Sequence, residues 1–110
     1  MGIEESDKID IVGKNKSTGQ LTLFISDHLD WQDEEAHLIA LQDKINTYIA
    51  YIESGQVWER YPEATGSEMK IEVVGKYSLP EIGEEFIRVA NATLATLNCA
   101  LVYTLLDDFC

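Results

Sequence analysis

Residues 26–55 read Ser-Asp-His-Leu-Asp-Trp-Gln-Asp-Glu-Glu-Ala-His-Leu-Ile-Ala-Leu-Gln-Asp-Lys-Ile-Asn-Thr-Tyr-Ile-Ala-Tyr-Ile-Glu-Ser-Gly, a short acid-and-histidine loop that runs directly into one long amphipathic helix. Leu38, Leu41, Ile45, Tyr48, Ile49 and Ile52 recur every three or four residues. That spacing lays one apolar stripe against a core. Asp30, with Asp33 three residues on, is expected to cap the helix in a capping box whose N3 carboxylate is an aspartate. Asp33, Glu34 and Glu35 then sit where the macrodipole is positive. Gly55 suits the residue just past the helix end. The helix should run for about twenty residues, ~30 Å at 1.5 Å per residue.

Upstream, Ile9, Ile11 and then Leu21, Leu23, Ile25 alternate with more polar neighbours, the period of two of strands. Asn15 and Gly19 between them predict a bulged hairpin turn. Downstream, residues 56–67 hold Val57, Trp58, Tyr61, Pro62 and Gly66 and read as an aromatic-tethered loop. Residues 69–77 predict a third strand. Ser78-Leu79-Pro80-Glu81 has the form of a capping box with a proline in the first turn of a second helix. Its buried stripe is expected at Ile82, Phe86, Val89, Ala90, Thr93 and Leu97, with Asn98 closing it. Residues 99–106 predict a last strand. The order β-β-α-β-α-β predicts an α+β fold: a two-layer sandwich, with a four-stranded mixed sheet and two helices on one face. One domain spans 1–110, with 1–7 loose.

The blocks Ile25-Ser26-Asp27-His28-Leu29-Asp30-Trp31 and Glu53-Ser54-Gly55, within a stretch covering the first two thirds of the chain, resemble a bacterial family of small domains of unknown function. The resemblance implies a bacterial origin and a small stand-alone domain. It brings no activity and no catalytic residue with it.

Twenty acidic against eight basic residues give a net charge of −12, which repels phosphate backbones and anionic lipids. Nucleic acid and membrane are therefore not expected partners. A basic protein is a possible one. Hydrophobic and charged contents of 45% and 25% are those of a globular protein. Met1-Gly2-Ile3-Glu4-Glu5 is acidic where a signal peptide is basic and then apolar. Cys99 and Cys110 show no framework spacing, so reduced thiols and a cytoplasmic setting are expected.

Asp27, His28, Asp30, Asp33 and His37 form the candidate site. Carboxylate and imidazole together suit a divalent metal or proton transfer. No H-x-x-x-H or H-E-x-x-H pair accompanies them, and every acid has a structural role at a helix start. No metal and no cofactor are expected. No nucleophile motif or phosphate-binding glycine loop is present either.

The strand pattern also predicts a second surface. With Ile9, Ile11, Leu21, Leu23, Ile25, Ile71, Val73, Leu101, Tyr103 and Leu105 toward the helices, the opposite face carries Val12, Phe24, Val74, Val102 and Leu106. Asp10, Lys14, Thr22, Glu72, Lys76 and Thr104 are expected to rim it. An apolar centre with a polar rim is the pattern of an interface. The sequence thus favours a small non-enzymatic protein-interaction domain and a homodimer, in its concrete form an immunity-like neutraliser of a basic partner. The alternatives are a small hydrolase or metal-dependent enzyme using the Asp27–His37 cluster, and a small-ligand-binding domain with a pocket under Trp58 and Tyr61.

Overall fold

In the strand β2 (Leu21–Asp27), Leu21, Leu23, Ile25 and Asp27 are buried, while Ser26 is exposed and Thr22 and Phe24 are half-buried. This alternation sets the layers of the whole molecule. The computed structural model describes residues 3, 9, 11–14, 20–64 and 68–106. Strand β1 (Ile11–Lys14) pairs antiparallel with β2, and β3 (Met69–Gly75) and β4 (Cys99–Leu105) follow in parallel, in the order β1-β2-β3-β4. The helices are α1 (Glu34–Glu53), α2 (Gln56–Arg60) and α3 (Glu81–Leu94). This is an α+β chain with a four-stranded mixed sheet. Leu23, Ile71 and Leu101 lie in register across β2, β3 and β4. They join Leu41, Ile45, Tyr48 and Ile52 of α1 and Leu94 of α3 in one hydrophobic cluster. Among the described residues no helix is long and apolar enough to cross a membrane.

Helix α1 begins three residues later than a cap at Asp30 requires. Asp33 is the cap, its Oδ1 accepting from the Ala36 backbone N–H at 3.1 Å. Asp30 instead accepts from the Gln32 N–H at 3.2 Å, a local turn ahead of the helix. Gly55 takes φ 82 just past the helix end, as a glycine there readily does. Residues 56–60 are a short helix rather than loop, followed by a 3-10 turn at Pro62–Ala64. Ile3, in the segment expected to be loose, is buried in the core and donates its N–H to Ser26 O at 2.9 Å.

Two face assignments change. Val12 pairs with Leu23 and packs against the core, so it lies on the Leu23 side of the sheet and not on the face expected to carry Phe24 and Val102. A one-residue difference in hairpin register moves a side chain to the other face, and the register is set by the turn rather than by β1 itself. Lys14, assigned to the open-face rim, reaches Glu63 at 3.2 Å.

Helix α3 is likewise turned. Ile82 and Val89 are 45% and 56% exposed, whereas Gly83 and Leu94 are buried. The cause is polar. The Asn91 side chain donates to Leu101 O at 2.8 Å and accepts from Leu101 N at 2.7 Å, gripping the backbone of the edge strand β4. Gly83 allows the same rotation, because a Cβ there would come within 2.5 Å of the Leu79 side chain. Pro80 is the residue before the helix and no side chain caps it, so Ser78 forms no capping box.

Replacing Asp33 by alanine should lower stability by about 0.5–2 kcal/mol through loss of the cap. Asp30→Ala should leave the first-turn amides satisfied and cost less. Urea denaturation of the two variants compares them directly, and a larger loss for Asp30→Ala would contradict this assignment.

Candidate functional site

Asp27 has the same strand parity as Leu21, Leu23 and Ile25, so β2 carries its carboxylate into the core. An isolated carboxylate there is costly and needs a partner. Helix α1 supplies it. His37 lies on the buried side of α1 with Leu41, Lys44, Tyr48 and Ile52, and its Nε2 meets Asp27 Oδ2 at 2.6 Å. The other ring nitrogen, Nδ1, is 2.8 Å from the backbone oxygen of Asp30. A carbonyl oxygen only accepts, so Nδ1 carries a proton and donates. The 2.6 Å contact then holds a second proton between Nε2 and the carboxyl group, since two bare acceptors would repel at that distance. Both imidazole nitrogens are thereby occupied.

The pair is closed over by aromatic and backbone groups. The Trp31 ring stacks on His37 with centroids 3.6 Å apart and planes 15° from parallel. Asp27 Oδ1 accepts from the Leu29 N–H at 3.2 Å, and its backbone oxygen accepts from Lys76 N at 2.9 Å. The Trp31 indole nitrogen is buried beside the Tyr103 hydroxyl, short of full hydrogen-bond geometry. Tyr103 lies across Gly75, where a Cβ would collide with the phenol, and its hydroxyl donates to Tyr77 O at 2.7 Å. Burial pushes the Tyr103 hydroxyl up from its ordinary pKa. Burial also raises the Asp27 carboxyl, a rise opposed by the His37 hydrogen bond and charge.

The five residues singled out in the sequence divide accordingly. Asp27 and His37 come together, and Asp30 joins them only through its backbone oxygen. Asp33 is an exposed cap, and His28 is exposed, bearing on Asp27 through its charge. Among the described residues, no three His, Cys, Asp or Glu side chains are grouped to hold a metal ion. Lys44 and Tyr48, on the same buried side of α1 as His37, are themselves buried. Tyr48 donates to Phe24 O at 2.6 Å, and Lys44 Nζ lies 5.7 Å from the Tyr48 ring centroid. The parity of Asp27 with the apolar residues of β2 was a legible sign of its burial. Nothing local announced the stacking of Trp31 or the approach of Tyr103 to Gly75.

A model of a family of unknown function, DUF6572, matches residues 1–107. The chain belongs to this family. Comparison with curated proteins and with solved structures gives no match. In this DUF6572 member a separate cleft of about 550 Å³ lies among α1, α2 and β1, lined by Ile9, Val12, Tyr51, Arg60 and Tyr61 among others. Tyr61 is among the residues lining this cleft. Trp58 is outside that lining and packs against the core. Burial raises the Tyr51 hydroxyl pKa there, and neighbouring Tyr61 adds to the rise.

Asparagine at position 27 can accept from Leu29 and donate to Nε2, whereas alanine leaves Nε2 buried and unpaired. Asp27→Ala should therefore cost about 1–3 kcal/mol more than Asp27→Asn. The raised carboxyl pKa means the folded protein holds a proton that the unfolded chain has lost. That contribution to stability is present at low pH and falls as pH rises from about 4 through the folded value. Asp27→Asn should remove this part of the slope, as read by denaturation across pH. Equal losses for both variants would refute the shared-proton arrangement.

Proposed function

We propose that this protein works by binding other proteins rather than by catalysis. The observation that carries the reading is the occupancy of His37: one ring nitrogen is held by Asp27, the other by Asp30, and Trp31 covers the ring. A general base needs a nitrogen within reach of a substrate proton. This pair has spent both on the fold. It joins the end of β2 to the start of α1, which is a structural task.

The assembly that accompanies this reading is a two-layer sandwich, with α1 and α3 on one face of the sheet and a second copy of the chain on the other. Right-handed crossovers from β2 to β3 and from β3 to β4 favour that placement of the helices. The opposite face carries Phe24, Val74 and Val102, with Leu106 just past β4 and 50% exposed. Phe24, Glu72 and Val102 lie in register across it. Glu72, in the middle, is already paired with Lys70 at 3.3 Å, so a dimer would bury a matched pair and not a lone charge. Full burial of an aliphatic or aromatic side chain is worth about 1.5–3 kcal/mol, and these residues are partly shielded already. Their gain must still exceed the several kcal/mol lost on association. A twofold contact uses the face twice, which doubles the contribution.

The net charge of −12 supports a concrete form of this function, an acidic neutraliser of a basic partner in the cytoplasm. The free, buried Cys99 thiol, pushed up to about 11 by burial, suits a reducing compartment. Sedimentation of the intact protein should give a dimer, firmer at moderate than at very low salt because screening weakens the long-range repulsion. Phe24→Glu and Val102→Glu should each give a folded monomer. A monomer at high concentration, or a dimer indifferent to both substitutions, would reject this assembly.

A further inference from the structure

An apolar groove runs between α1 and α3, with the core residue Ile45 in its floor. It measures about 180 Å³ and is lined by Ile45, Ile49, Phe86 and Val89 with Gln42 and Asn46 among its polar edges. Ile39, 51% exposed, and Ile82 continue the two walls toward the starts of the helices. The spacings 39, 42, 46, 49 on α1 and 82, 86, 89, 93 on α3 place each wall along one side of its helix. Single exposed apolar residues are ordinary, but two facing stripes with a depression between them form a seat for a third helix.

The charges around the groove select its occupant. Glu35 and Glu53 share the 39/42/46/49 side of α1, and Asp43 on α1 and Glu85 on α3 flank the two walls; all four are exposed. The only lysine or arginine side chains on these helices are Lys44, which is buried, and Arg88, which Glu85 holds at 2.7 Å. A second copy would present the same carboxylates to these and be repelled, as would an anionic lipid surface. An amphipathic helix with an apolar stripe and lysine or arginine on its flanks satisfies both the groove and its rim. We infer that the groove between α1 and α3 docks a basic amphipathic helix of another protein. This rests on the protein-binding reading above and names the surface and the partner's chemistry.

The test uses the full chain, isotopically labelled, titrated with a synthetic Leu/Lys helix of about four turns whose leucines recur at i, i+3, i+4 and i+7. Two control peptides are a scrambled sequence of equal composition and a Leu/Glu version. The expected result is a set of shift changes at Ile49, Phe86 and Val89, weakened by added salt. The Leu/Glu peptide should not bind. Ile39→Asp and Val89→Asp alter exposed positions, so the fold should persist, and each should weaken binding about tenfold or more. Equal binding of the scrambled peptide, or shifts confined to the sheet face, would overturn the groove. So would affinity unchanged by both variants. The sedimentation of Phe24→Glu reads the sheet face independently, so the two failures are distinguishable.

Discussion

The 2.6 Å contact between Asp27 and His37 is the constraint around which the end of the sheet is arranged. A carboxyl group that strand parity turns into an apolar layer must be matched there by a polar group. His37, on the first turn of α1, does so. Matching it fixes where α1 starts, because His37 must also donate to Asp30 O. The helix therefore begins after Asp33, and the intervening loop folds Trp31 over the imidazole. Asp27 and His37, residue types that also suit proton transfer, here link a strand to a helix.

The effect of that joint extends to the second crossover. Trp31 reaches the start of α3, where a Cβ on Gly83 would lie 3.4 Å from its ring. Asn91 meets the backbone of Leu101 in β4, two turns further along the same helix. Polar matching at one point and close approach at the other outweigh the simple apolar periodicity of α3. The exposure of Ile82 and Val89 follows from this rotation.

Much of the architecture was legible in the chain. The alternation in β2 and β3, the long stripe of α1, Gly55 at its end and Asn98 with φ 57 beyond α3 all express local rules that the sequence states directly. Asp27 and His37 were also legible as candidates, because both residue types are scarce on apolar faces. Their role was not, since it depends on which atoms each ring nitrogen meets. Val12 was misplaced because hairpin register depends on turn geometry, and the two faces differ by a single residue of slip.

By itself, then, the sequence determined the four strands, the two long helices, their order and the acidic composition, since each depends on residues close together along the chain or on composition alone; the short helix α2 was not among them. Tertiary structure decided the faces. Whether Val12 looks inward, whether α3 buries Val89 or Leu94, and which groups the two ring nitrogens of His37 meet are decided by contacts between residues far apart in the chain. Side-chain periodicity gives a helix a preferred side but not the energy of a distant hydrogen bond. Here polar groups that must be satisfied, the buried Asp27 carboxyl and the half-buried Asn91 amide, tip the choice.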